Sequence, residues 1–134
     1  MDPAATRVLL VDDEPTLLKL VSAYLSRIGY SVTTANTTEK AWAEMESALS
    51  GGDRRYSIAV LDATMTGLPM PELAARMLRA SDSLCVLTSS GYPVDIAQLE
   101  EIAPGRVGFL HKPFVPEMLV AAIRRMIAPQ EEDV

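Results

Sequence analysis

Short apolar runs alternate along the chain with segments whose apolar residues recur at helical spacing. Arg7-Val8-Leu9-Leu10-Val11 reads as a buried strand. Pro15 suits the first turn of a helix. Leu17, Val21, Tyr24 and Ile28 then mark one helical face, with Leu18 and Leu25 widening the stripe and Gly29 ending it. Ser31-Val32-Thr33-Thr34 is short and β-branched, a second strand. Thr38 caps a helix that carries Ala41, Trp42, Met45 and Leu49 inward. Ser57-Ile58-Ala59-Val60-Leu61 is a third strand, and Pro69 to Ala80 a helix burying Leu73, Met77 and Leu78. Leu84-Cys85-Val86-Leu87-Thr88 is a fourth strand. Ile96, Leu99 and Ile102 mark a short helix that stops before Pro104. Arg106-Val107-Gly108-Phe109-Leu110 is a fifth strand, and Pro116 opens a last helix with Leu119, Ile123, Met126 and Ile127 on one face.

Five β/α units in strict alternation predict an α/β fold, a parallel sheet with helices on both faces. Ligands of such sheets bind beyond the carboxyl ends of the strands. The first strand runs into Asp12-Asp13-Glu14, the third into Asp62, the fourth into Thr88-Ser89-Ser90 and the fifth into His111-Lys112-Pro113. Acids, hydroxyls and one ammonium therefore emerge on the same edge. Clustered carboxylates repel one another unless a cation sits among them. Oxygen donors without His or Cys suit a hard cation such as Mg²⁺ rather than Zn²⁺. A carboxylate in that setting can attack phosphorus and form an aspartyl phosphate. Mg²⁺ and Lys112 would offset charge on the phosphoryl oxygens, and Thr88 or Ser90 could donate a hydrogen bond to them.

Composition narrows the function classes. A chain of 134 residues has the size of one domain, and 49% apolar residues are enough to build its core. A net charge of -6 argues against direct nucleic-acid binding. The single cysteine, Cys85, cannot form an intrachain disulfide and suits a reducing, cytoplasmic setting. No signal peptide is evident, and no run approaches the roughly 18 apolar residues of a membrane span. Residues 50–54 look like an exposed loop, residues 1–5 an N-terminal tail, 6–128 the domain, and 129–134 a frayed or linker-like C-terminal tail.

Four motifs in order carry a family resemblance. They are Val8-Leu9-Leu10-Val11-Asp12-Asp13-Glu14, Val60-Leu61-Asp62, Ser89-Ser90-Gly91-Tyr92, and Gly108-Phe109-Leu110-His111-Lys112-Pro113-Phe114. Together they resemble the response-regulator receiver domain, of the kind found alone or attached to hybrid histidine kinases. The resemblance implies a flavodoxin-like, doubly wound five-stranded parallel sheet in order 2-1-3-4-5 with five helices. It implies a phosphorelay module that takes a phosphoryl group from a sensor histidine kinase or a histidine phosphotransfer protein, with Mg²⁺ or Mn²⁺. By position, Asp62 resembles the phosphoacceptor. Asp12 and Asp13 resemble the metal-site acids, Asp13 the more direct ligand, and the backbone carbonyl of Thr64 the third protein ligand. Lys112 resembles the phosphate-contacting lysine, Ser90 the switch hydroxyl, and Phe109 the aromatic that changes rotamer with it. Ser90 is chosen over Thr88 and Ser89 for the Ser90-Gly91-Tyr92 step and its distance from Lys112. The Lys112-Pro113 bond resembles the family's cis peptide.

Two departures stand out. Thr66 and Met70 occupy positions where the family usually has Pro and Gly, which leaves the loop after Asp62 open. The Glu46–Tyr56 segment is longer than usual, lengthening the second helix or the loop behind it. Plainer readings exist for single motifs. Asp12-Asp13-Glu14 could cap a helix, Ser89-Ser90 could be turn residues, and Lys112 could be a solvated lysine. His111 reads as structural, Cys85 as inert core, and Tyr92 as either a partner contact or loop packing. Such a domain is a phosphoacceptor that catalyses its own phosphorylation and autodephosphorylation, not an enzyme in the usual sense. Its output would pass to a downstream protein partner through the face of helix 4, strand 5 and helix 5, or to sequence outside this chain. One rival is a phosphohydrolase of the haloacid dehalogenase type, which needs an acid where Thr64 stands. The other is a receiver-like protein-interaction module that is not phosphorylated.

Overall fold

The Arg7–Val11 strand (β1) lies inside the sheet, so both of its faces must be apolar. In the computed structural model, Leu9 and Val11 face one core and Val8 and Leu10 the other. Residues 6–51 and 55–132 are described, with side chains through residue 128. The expected tail 1–5, residues 52–54 of the expected loop, and residues 133–134 lie outside them. The remaining elements are α1 (Pro15–Ile28), β2 (Ser31–Ala35), α2 (Thr38–Ser50), β3 (Ile58–Asp62), α3 (Met70–Ala80), β4 (Cys85–Ser90), α4 (Ala97–Ile102), β5 (Val107–His111) and α5 (Pro116–Glu132). All strand pairs are parallel, in the order β2-β1-β3-β4-β5. This is the expected doubly wound α/β sheet with five helices. One core layer lies under α2, α3 and α4, the other under α1 and α5.

Local chemistry explains the element ends. Pro15 opens α1, and Gly29 closes it at φ 113, a left-handed conformation that favours glycine. The α2 cap is Thr37, not Thr38. Thr37 is extended and accepts a hydrogen bond from the Lys40 N–H at 3.1 Å. Thr38 is buried instead and accepts the Leu68 N–H at 3.1 Å, tying the loop after β3 to the start of α2. The fully buried helix stripes are narrower than the expected ones. The buried stripe of α1 is Leu18, Val21 and Leu25, with Leu17, Tyr24 and Ile28 at its margin. That of α2 is Ala41, Met45 and Ala48, with Trp42 and Leu49 half-buried.

The strands outrun their apolar runs. Asp62, Ser89 and Ser90 are the last residues of β3 and β4 rather than the first of the following loops. At the other end of the chain, α5 continues through Pro129 to Glu132, past the expected domain limit at residue 128. The long Glu46–Tyr56 segment extends α2 as far as Ser50.

Candidate functional site

Three strand ends close in the same way. A polar side chain at or just beyond the strand end accepts the backbone N–H two residues on, which turns the chain out of the sheet. Asp12 Oδ1 accepts from Glu14 N at 3.0 Å, Asp62 Oδ1 from Thr64 N at 3.1 Å, and Ser90 Oγ from Tyr92 N at 3.0 Å. These turns set Asp12, Asp62 and Ser90 along one edge. Glu14 is the N-cap of α1 and makes no side-chain cap bond. The acidic triplet is thus not explained as a simple cap.

Carboxylate oxygens of Asp12, Asp13 and Asp62 lie within 4.8 Å of one another. Asp12 and Asp62 are buried, and Asp13 is exposed. Lys112 follows β5 and reaches across the ends of β4 and β3. Its Nζ sits 2.6 Å from Asp12 Oδ2 and 3.7 Å from Asp62 Oδ1. Burial by itself lowers the Lys112 pKa. The hydrogen bond to Asp12 and the charges of Asp12, Asp62 and Glu14 outweigh that, leaving it above the usual lysine value. Three carboxylates against one ammonium leave the edge with excess negative charge. The donors are all oxygen, and Asp13 opens to solvent. That set fits a small hard cation that keeps part of its water.

Asp12, Asp13, Asp62 and Lys112 therefore converge, while the other expected residues make different contacts. Thr64 stands beside Asp62, where its hydroxyl as well as its N–H donates to Asp62 Oδ1, the hydroxyl at 3.0 Å. The Asp62-x-Thr64 spacing is the sequence signal for that side-chain contact. Asp12, expected only as a metal acid, is also the closest partner of Lys112. The Thr88 hydroxyl donates to Gly108 O at 3.0 Å inside the sheet, while Ser90 lies at the edge. Phe109 faces away from Lys112 and is half-buried, its ring edge-on to His111 with centroids 6.3 Å apart. The Lys112-Pro113 peptide is cis. Cys85 is buried and its Sγ donates to Met126 O. Burial raises its thiol pKa against the opposing charge of Arg106, as suits an inert core residue. Tyr92 is 73% exposed, which sets aside loop packing for it.

Gly67, not residue 70, takes the left-handed conformation, at φ 94. It packs so closely on α2 that a Cβ there would stand 2.7 Å from Thr38 Oγ1.

Comparisons with known proteins address the chain as a whole. The family model for the response regulator receiver domain matches residues 8–124. The transcriptional regulatory protein AruR of Pseudomonas aeruginosa is 29% identical over 121 residues, 90% of this chain and 49% of AruR. The chain spans about half the length of the curated relatives it matches. A CheY-like receiver domain protein of Methanospirillum hungatei superposes with a TM-score of 0.82 at 22% identity, covering 96% of this chain and 98% of that one. The response regulator TrrA of Thermotoga maritima, solved in complex with Mg²⁺ and BeF, superposes with a TM-score of 0.73 at 23% identity, covering 90% and 98%.

Proposed function

We propose that this chain, which belongs to the response-regulator receiver family, accepts a phosphoryl group onto Asp62 from a partner's phosphohistidine. The observation that carries the reading is the Lys112 ammonium held between Asp12 and Asp62 at the edge where three carboxylates meet. An Asp62 carboxylate oxygen attacks phosphorus, the P–N bond of the donor breaks, and the donor imidazole leaves with that electron pair. Lys112 holds an oxygen of the arriving group and offsets its charge. Asp12, Asp13 and Asp62 would hold Mg²⁺ or Mn²⁺, with the Thr64 carbonyl as a further ligand. The cation supplies positive charge against the phosphoryl oxygens. The Mg²⁺–BeF complex of TrrA, a relative in fold, supports this choice of cation.

Ser90 and Phe109 act downstream of the chemistry. The Ser90 hydroxyl accepts from Tyr92 N and keeps its own proton free to donate to the phosphoryl group. Its movement changes the room available to Phe109 and so biases the face of α4, β5 and α5 toward a downstream protein partner. The donor is a sensor histidine kinase or a histidine phosphotransfer protein. The chain works as a phosphoacceptor, not as an enzyme with turnover on a free substrate, and releases its phosphoryl group by self-catalysed hydrolysis. Thr64, which offers no acid for proton transfer, weighs against a dehalogenase-type phosphohydrolase. Among the described residues no helix is long and apolar enough to cross a membrane, and we place the domain in the cytoplasm.

Incubation with acetyl phosphate tests the reading by intact mass. The expected result is a gain of one phosphoryl group that requires a divalent cation and is abolished by EDTA. A chain that gains none would be a receiver-like interaction module without phosphorylation.

A further inference from the structure

Among the described residues, four side-chain atoms are buried without a hydrogen-bond partner: Arg7 Nη1, Tyr30 OH, Ser81 Oγ and Ser89 Oγ. Arg7, Tyr30 and Ser81 lie at or before the starts of β1, β2 and β4, at the far edge of the sheet. Ser89 alone lies at the edge that gathers the acids. It is 2% exposed. A hydroxyl buried without a partner is destabilising, so its presence in a row of charged residues calls for a reason.

The strand register gives one. Asp62 pairs with Ser89, and Ser89 with Leu110. Val11 pairs with Leu61, which sets Asp12 level with Asp62. One row across the sheet therefore reads Asp12, Asp62, Ser89, Leu110. Paired residues of neighbouring strands share a face, and Lys112 lies on it two positions beyond Leu110. To reach Asp12, Lys112 crosses the end of β4, where Ser89 offers a small side chain and a free acceptor. A lysine ammonium has three donors. Among the described residues its ion pairs are with Asp12 and Asp62 only.

We infer that Ser89 is a positioning residue for Lys112 in the phosphorylated chain. The inference rests on Asp62 being the phosphoacceptor. A phosphoryl group on Asp62 draws the ammonium off Asp12 and back toward β4. There Ser89 Oγ accepts its third hydrogen and fixes it against the phosphoryl oxygens. Ser90 pairs with His111, one row further on, and its hydroxyl is engaged by Tyr92 N and the phosphoryl group, so it is not a substitute.

The test is beryllofluoride, which mimics the phosphoryl group on a carboxylate. It is titrated with Mg²⁺ into the full chain and followed by ¹⁹F NMR. Ser89→Ala is expected to bind beryllofluoride about tenfold more weakly, the loss of one charge-assisted hydrogen bond. Its Mg²⁺ affinity is expected to stay at the wild-type value and its urea midpoint at or above it. Ser81→Ala removes a hydroxyl of the same kind away from the site and is expected to bind as wild type. Wild-type beryllofluoride affinity in Ser89→Ala overturns the inference and leaves the phosphoacceptor reading standing. So does a loss matched by weaker Mg²⁺ binding or a lower urea midpoint, which marks a structural role. A wild-type chain that binds no beryllofluoride overturns both.

Discussion

Replacing Lys112 by methionine keeps an unbranched stem, one atom shorter, and removes the charge. The change leaves Asp12 and Asp62 with side chains 4% and 2% exposed and no counter-charge between them. At an effective dielectric of about 20, a unit pair near 4 Å is worth about 4 kcal/mol, and each carboxylate makes such a pair with Lys112. The desolvation that the lysine no longer suffers offsets part of this. Breaking a fully buried pair costs about 3–5 kcal/mol. The lysine side chain is 18% exposed, so the expected loss is about 2–3 kcal/mol.

Urea denaturation at neutral pH measures that loss as a lower midpoint at unchanged slope. Mg²⁺ should recover part of it, since the cation places positive charge among the same carboxylates. The pH dependence has a definite sign. The folded-state pKa of Lys112 is raised, so its contribution is complete below the ordinary lysine value of 10.5 and fades as pH rises through the folded value. The wild type should therefore lose stability on that alkaline limb, and Lys112→Met should lack this component. A stability within about 0.5 kcal/mol of wild type, unresponsive to Mg²⁺, would refute the charge balance described for this edge.

Asp13→Asn removes one of three converging acids from an exposed position. It should raise stability without metal by about 0.5–1 kcal/mol while weakening Mg²⁺ binding at least tenfold, read by isothermal titration. Gly67→Ala places a Cβ at positive φ against Thr38. It should cost about 1–3 kcal/mol by urea melt and speed hydrogen exchange in residues 63–69. Thr38→Ala leaves the Leu68 N–H without its acceptor, at a cost of about 1–2 kcal/mol with the same exchange signature.

Much of this architecture is written in the alternation of apolar runs and helical stripes, because interior parallel strands must be apolar on both faces. Strand polarity then brings Asp12, Asp62, Ser90 and Lys112 to one edge without any knowledge of their contacts. Details that depend on a neighbour were harder to read. Thr37 and Thr38 are both competent caps, and the approach of Leu68 decides between them. Which members of the broad α1 stripe are fully buried depends on how the helix sits on the sheet, which its own periodicity does not encode. Asp62 and Ser90 look like loop residues because they are polar, yet parallel pairing carries the ladder through them. The Lys112–Asp12 pair spans 100 positions in sequence and two intervening strands, so no local pattern announces it. The same holds for Ser89, whose meaning lies in the register and not in the serine.

The central claim is that the phosphoryl group resides on Asp62. Borohydride reduces an aspartyl phosphate to homoserine, which peptide mass spectrometry can place at a single residue after treatment with acetyl phosphate and Mg²⁺. The account predicts homoserine at position 62, and none in Asp62→Asn. Homoserine at position 12 or 13 instead, or a phosphoryl label that survives in Asp62→Asn at the wild-type level, would contradict it.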